Sequence, residues 1–376
     1  MSLRFEWVRS LQGVAFPVDA YKRLHESVHS ATPFNRPGWL YGAEHALAAG
    51  QGLHVLLGWE DEQLVLCLPL VAGRERMLGL PMSVIRHLGY PLADRIALMV
   101  LPSCAKAAMA QASREIARTL PHGLLQLSEI IDPPERFSAW ARASWRTHAM
   151  VSCRVPEHLL VEADHKPVSG QVGNKIRRFQ KRCHEAGALV RRVVANAGNI
   201  DELLSAMSDV EKISWKGDEG VGIFSGVQRK QWLYESLRGL AVEGCVRLVM
   251  LELEGRCISY RLGLLERGRL YDYNIAFLPQ YAELGSGRVL LDEWIRWGLE
   301  EHWHWVDASR VSLARSSHQL HERMSGQVVH TRWSFYSQRP CGRLLGTADQ
   351  LWQWLKPRIK AWRELRVTKL SSEGST

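Results

Sequence analysis

Residues 270–291 read LYDYNIAFLPQYAELGSGRVLL, and the succession of residue types in them decides how the chain is built. Residues 270–277 form a strand-length, largely apolar run, and Pro279 and Gly285-Ser286-Gly287 interrupt it. From Arg288 onward Leu290, Trp294 and Trp297 recur at the spacing of one helix face, which predicts a helix over 288–301. A strand thus hands over to a helix through a glycine-bearing turn. The first amides of a helix have no partner within it, its dipole is positive there, and glycines at 285 and 287 let a pyrophosphate approach the backbone. Arg288 adds a charge-assisted contact to the same anion. A plain β–α turn is the other reading of these residues, so their place in the chain has to decide.

Outward from this stretch the pattern is a meander. Residues 246–253 turn through Glu254-Gly255-Arg256 into 257–265, and Arg267-Gly268-Arg269 leads into 270–277. Helical patterns precede it at 170–186, 200–216 and 227–243, and a strand at 304–309 follows it. The first half shows the same order: helices at 18–29 and 39–49, a hairpin of 53–59 with 64–71, a third strand at 96–101, an alanine-rich helix at 105–119 and a strand at 124–130. Its β–α turn, residues 101–106, has no glycine, so the anion site is expected in the second half alone. The repeat predicts two mixed α/β domains, at 1–160 and 161–376, joined by a linker at about 156–172 that carries Pro156, Pro167, Ser169 and Gly170.

Composition sets the outer limits. The 376 residues are 46% hydrophobic and 23% charged, the balance of a globular chain with room for two cores. No run of about 18 apolar residues and no leader pattern occurs, so neither a span nor a signal peptide is expected. The seven cysteines are scattered singly, without a C-x-x-C pair, which fits reduced thiols in a cytoplasm. A net charge of +9 suits nucleic acid, anionic lipid or a polyanionic cofactor, and charge alone does not choose among them.

Several runs then resemble one family. They are Phe34-Asn35-Arg36-Pro37-Gly38-Trp39, the element from Leu88-Gly89 to Asp94, the basic helix from Lys175 to Arg182 ending at Gly187, Glu211 to Trp215-Lys216 with Gly222-Ile223-Phe224, Gly285-Ser286-Gly287-Arg288, and Asp307. Together they resemble the CelD-type branch of the GNAT acyltransferases, relatives of the Fem peptidoglycan-bridge transferases, over most of the chain. The resemblance implies two tandem GNAT-like domains of mixed α/β fold, the first degenerate. It implies direct acyl transfer from acetyl-CoA or a longer acyl-CoA to an amine or hydroxyl, with no metal and no covalent enzyme intermediate. Leu284, Gly285, Ser286, Gly287 and Arg288 would then hold the pyrophosphate. Pantetheine would lie between strands 270–277 and 304–309, with backbone near Ala276 polarising the thioester carbonyl.

The acceptor needs a general base, and the carboxylates near that gap are Asp307, Asp272 and Glu211. Asp307 is preferred because it ends an apolar strand, where burial raises a carboxyl pKa; a structural carboxylate capping the next loop is the other reading. Tyr271 and Tyr273 flank Asp272 and offer either an acid for the departing thiolate or cross-strand packing. Trp215 and Lys216 form a candidate acceptor-site pair, stacking on a sugar or acyl part and binding a carboxylate or phosphate; a core tryptophan beside a solvated lysine is the alternative. After Asp307 the chain departs from the family: relatives carry a glycine-rich turn and a lysine where residues 309–318 stand, and Arg310 or Arg315 are the replacements on offer.

Other signals compete. The histidines at 302, 304, 318 and 321 match no zinc spacing, so no metal is expected. A helix at 350–370 has an apolar stripe ringed by Lys and Arg, which fits packing on the second domain or peripheral contact with an anionic inner membrane. The reading is an acyl-CoA-dependent N- or O-acyltransferase acting on a small-molecule, sugar or amine acceptor in polysaccharide or envelope-precursor modification. Beside it stand a Fem-like transferase that takes its donor from aminoacyl-tRNA, and a catalytically silent binding protein of the same fold in an exopolysaccharide or resistance pathway.

Overall fold

Chain reversals at Leu78-Gly79, Glu254-Gly255 and Arg267-Gly268 hold both central residues at positive φ, the tight hairpin turn whose twist matches that of its strands. The computed structural model describes residues 3–161, 170–218, 220, 222–307 and 326–373, without the side chains of Trp215, Asp218 and residues 360–373. The first half runs β1 (Arg4–Val8), α1 (Val18–Ser27), α2 (Pro37–His45), β2 (Gly52–Glu60), β3 (Gln63–Met77), β4 (Leu80–His87), β5 (Met99–Val100), α3 (Ala105–Thr119), β6 (Leu124–Ile130), α4 (Ser138–Ala143) and β7 (Arg146–Leu159). The second runs α5 (Gly170–Glu185), β8 (Leu189–Val194), α6 (Ile200–Ile213), α7 (Trp215–Asp218), α8 (Val227–Val242), β9 (Val246–Leu253), β10 (Arg256–Glu266), β11 (Arg269–Phe277), α9 (Ser286–Glu300), β12 (Trp305–Asp307), β13 (Gly326–Tyr336) and α10 (Pro340–Glu373). None of the described helices is long and apolar enough to cross a membrane.

All strands join one sheet in the order β1-β2-β3-β4-β6-β13-β7-β12-β11-β10-β9-β8, with β5 beside β3. Each half supplies an antiparallel meander, a helix, and a strand parallel to the last meander strand: β6 beside β4, and β12 beside β11. The closing strands are exchanged. β13 lies between β6 and β7, and β7 pairs with β12, so the sheet runs unbroken across residue 160. Helices α2 and α8 close the same seam by touching at glycines: a Cβ on Gly38 would stand 2.7 Å from Gly239 backbone, and one on Gly42 2.2 Å from Ser236 Oγ. Arg36 ties α2 to Glu243 and Glu266 of the second half.

Four expectations are corrected. The third meander strand of the first half is β4, and residues 96–101 give only the two-residue β5 and a bridge from Ile96 to Ile130. Strands β1, β7, β8 and β13 were not anticipated. Pro156 to Leu159 are the end of β7 and not linker. Helix α10 starts at Pro340, and its buried Leu345 packs both with Met82, Val84 and Leu124 of the first half and with Tyr336 of β13 in the second. Further along it Leu351 and Ile359 of the apolar stripe are 59% and 37% exposed, as are the neighbouring Trp352 and Trp354 at 54% and 55%, so this part of the helix is not core.

Candidate active site

The glycine turn is built as an open helix start. Gly285 holds φ 60° at the N-cap of α9, and a Cβ there would stand 2.5 Å from the Phe179 ring, so both backbone and space demand glycine. Gly287 is tight but not closed: a Cβ there would meet the terminal methyl of Ile275, Cδ1, at 3.3 Å, which must give by a few tenths of an ångström. No side chain caps α9, and its first turn carries no acid. Phe179 of α5 has two guanidiniums over its ring, with Arg182 and Arg288 each 5.7 Å from its centre, and Arg182 donates to the Glu283 carbonyl. A positive helix end flanked by two arginines suits an anion. Leu284 and Ser286 are buried and shape the turn from inside.

Behind the turn, Arg261 of β10 donates Nε and Nη2 to the Gly287 carbonyl at 3.1 and 3.0 Å and Nη1 to Asp272. Trp294 Nε1 completes the carboxylate's shell at 3.3 Å. Burial pushes the Asp272 carboxyl above the usual range, and the Arg261 guanidinium opposes the rise. Only 2% exposed, Asp272 braces the turn from the α9 side of the sheet.

Strand β11 carries a bulge. Leu262 pairs with Asn274 but Gly263 pairs with Asp272, which leaves Tyr273 as the extra residue. The bulge reverses the alternation: Asp272 and Ile275 lie against α9, whereas Asn274 faces α6. Leu278 N donates to Ile258 O, and the register steps by two from there to Asn274. The amides of Ala276 and Asn274 therefore point to β10, and those of Ile275 and Phe277 point to the side of β12. The Ala276 amide is thus taken up by β10, and its two neighbours present theirs on the other side of the strand. Among the described residues the parallel pairing of β11 with β12 is confined to Arg269 with Trp305 and Leu270 with Val306.

Asp307 then bridges the two strands with its side chain. Its Oδ1 accepts the Asp272 amide at 2.7 Å and its Oδ2 accepts Arg95 Nη2 at 3.1 Å. Arg95, 3% exposed, also pairs with Glu157 and stacks over Tyr271 and Trp305. With one oxygen on an amide and the other on a guanidinium, the carboxylate clamps β11, β12 and Arg95 together. Tyr273 points into the seam, where its hydroxyl donates to the Leu92 carbonyl and its ring meets Phe34 and Trp39. Burial pushes the Tyr271 phenol up to about 12.

The polar group that β11 does present is Asn274. Its Nδ2 lies 3.0 Å from Glu211 Oε2 and 2.8 Å from Tyr260 Oη, and its Oδ1 accepts Lys216 Nζ. Glu211 Oε1 accepts the Phe224 amide at 2.7 Å, and a Cβ on Gly222 would stand 2.2 Å from that oxygen, so the run 222–224 folds over the carboxylate. Burial lowers the Lys216 pKa, against the pull of Glu211, Asp272 and Asp94. Lys216 is the one member of this quartet that is not buried. The sequence pointed to Glu211 and Lys216 separately; Asn274, Tyr260, Arg261 and Arg95 escaped it. A charged Arg261 inside an apolar strand was the available signal, since a buried charge demands a partner. The Trp215 side chain, Arg310, Arg315, His318 and His321 lie outside the described residues.

Comparison with known proteins adds a class. Residues 170–314 match the family model described as an acetyltransferase (GNAT) domain. No curated protein matches the chain. Among solved structures it is similar to FemX, with 10% identity and a TM-score of 0.59 over 91% of this chain and 100% of that one. It is similar to a domain of a candidate lysylphosphatidylglycerol synthetase from Agrobacterium fabrum, with 10% identity and a TM-score of 0.54 over 89% and 95%. A tandem GNAT protein from the clavulanic acid biosynthesis pathway gives 12% identity and a TM-score of 0.50 over 89% and 99%. At such identities the likeness is one of fold: a mixed α/β protein of two tandem GNAT-like domains, with the matched GNAT domain in its second half.

Proposed function

We propose that this protein is an acyl-CoA-dependent N- or O-acyltransferase whose site lies in the second half. The observation that carries the reading is the juxtaposition of an uncapped α9 start, flanked by Arg182 and Arg288, with the edge of β11 that offers the Ile275 and Phe277 amides. The pyrophosphate would rest on Gly285, Ser286 and Gly287, and the pantetheine would run along β11. An amide of Ile275 or Phe277 donates to the thioester oxygen as it becomes an oxyanion. The acceptor's nitrogen or oxygen attacks the carbonyl carbon, the C–S bond breaks, and the thiolate leaves with the electron pair. The acceptor's proton goes to the Glu211, Asn274 and Lys216 cluster, with Lys216 as its outward member and Glu211 as the carboxylate behind it.

A thiol-release assay with acetyl-CoA and longer acyl-CoAs against amines and sugar nucleotides tests this. The reading expects release that Glu211→Gln and Lys216→Met each lower by roughly 100-fold or more. Equal release from the variants would overturn the assignment of the base. The fold likeness to FemX and the basic face of α5 beside the turn favour a second reading, transfer from aminoacyl-tRNA. Gel shifts with charged tRNA and no heat with acyl-CoA would select it; failure of both would leave a silent binding protein of this fold. Acceptors among polysaccharide or envelope precursors fit a protein held near a membrane. The exposed Leu351, Trp352 and Trp354 beside Lys356 and Arg358 support that placement, and flotation with anionic vesicles tests it.

A further inference from the structure

We infer that Glu129, Cys153 and His330 form a site for one zinc-class divalent cation at the seam where the closing strands are exchanged. No spacing announces it, because Cys153 and His330 stand 24 and 201 positions from Glu129. The sheet brings them together. Cys153 of β7 is directly opposite His330 of β13, so their side chains leave the same face. Two irregularities then aim the neighbours inward. The next pair is Thr331 with Val151, which makes Ser152 an extra residue in β7. On the other flank Thr331 pairs with Ile130 and Trp333 with Leu127, so Ser128 and Glu129 of β6 face a single residue of β13. Glu129 takes up that slack at φ 56°, a conformation that a non-glycine residue holds only under constraint. Bulges of this kind re-aim side chains, and here two of them flank one histidine.

The result is a thiol, an imidazole and a carboxylate with one donor atom from each, all within 4.8 Å of one another. Glu129 Oε2 is 3.1 Å from His330 Nδ1, 3.5 Å from Cys153 Sγ and 3.1 Å from Ser152 Oγ. The His330 side chain is 1% exposed and that of Glu129 13%, and Cys153 is buried. Sulfur with nitrogen and a single carboxylate is a donor set for a borderline-soft ion; calcium and magnesium take oxygen. Binding takes the proton from the Cys153 thiol and releases it to solvent, and leaves His330 a neutral ligand through Nδ1. Thiolate and carboxylate then balance the ion's two charges, and Ser152 or a water fills the fourth position. Such an ion would fasten β6 of the first half to β13 of the second, independently of any acyl transfer.

The test uses the full chain, stripped with a chelator and titrated with Co²⁺ and then Zn²⁺. One equivalent of Co²⁺ should raise a near-ultraviolet thiolate-to-cobalt band that Zn²⁺ displaces, and Zn²⁺ should raise the Tm. Cys153→Ser, close in shape, should lose the band, and Cys153→Ser and His330→Ala should each bind roughly 100-fold more weakly, the upper end of what losing even a ligand's supporting partner costs. Circular dichroism without metal checks that the variants fold. A wild-type chain with no band, or zinc binding and a Tm response unchanged in Cys153→Ser, would mean that Glu129 is only the acceptor of a hydrogen-bonded hub and would overturn the site.

Discussion

Asp272 and Asn274 are two residues apart on one strand, yet they serve opposite faces of the sheet because Tyr273 is bulged between them. Asp272 answers a buried arginine, and Asn274 joins an acid to an amine. Replacing Asp272 by Asn should therefore act on stability before chemistry: it leaves Arg261, with a side chain 8% exposed, without its counter-charge. The expected loss is about 3–5 kcal/mol in urea unfolding, the usual cost of removing one partner of a buried pair. Lys216 should behave in the contrary way. Its folded pKa lies below the unfolded value, so the unfolded chain binds more protons between those two pKa values, and stability gained from this group rises with pH across that interval. Lys216→Met should thus raise the Tm at pH 7 while lowering activity, and the gain should shrink as pH climbs toward the unfolded lysine value. A gain that is flat from pH 7 to the unfolded value would show that burial does not strain this amine.

At the scale of elements, the glycines of the α9 start have separable duties. Gly285→Ala meets both a left-handed φ and the Phe179 ring, so it should destabilise the protein by about 1–3 kcal/mol, measured by thermal or urea unfolding. Gly287→Ala asks only the Ile275 methyl to give by a few tenths of an ångström and should cost less stability than Gly285→Ala, whereas Gly287→Glu adds a negative charge where the anion is expected. What the sequence disclosed at this scale followed turn chemistry. Gly255 and Gly268 marked β9, β10 and β11, and the alanine-rich run marked α3. The turn before β4 hid because Leu78 occupies a left-handed position usually given to Asn, Asp or Gly. Strands β7 and β13 hid because neither shows a clean apolar face: β7 is largely half-exposed, and β13 buries the polar His330 and Ser334 beside its aromatics. Their place in the sheet depends on partners nearly 200 residues away, and so does the join of Arg95 to Asp307, which no periodicity reveals.

Across the whole molecule, strand exchange makes the two halves depend on each other. Without β13, strands β6 and β7 lose the partner that joins them, and without β7 the edge of β12 is left open. Urea unfolding followed by tryptophan fluorescence and by far-ultraviolet circular dichroism should give coincident single transitions, and residues 1–160 alone should not fold to a cooperative unit. Two resolved transitions would show the seam to be looser than its pairing implies. The repeated order of elements was legible from the sequence, but the exchange was not, because the repeat shows which strands each half owns and not where they dock. The central claim remains local to the second half: an anionic acyl donor rests on the start of α9. Calorimetric titration of acetyl-CoA into the wild-type chain, Gly287→Ala and Gly287→Glu tests it most directly. Binding on the order of 1 μM to 1 mM is expected for the first two, the common range for enzyme substrates, and none for the third. Equal heats from all three, or none from the wild type, would contradict it.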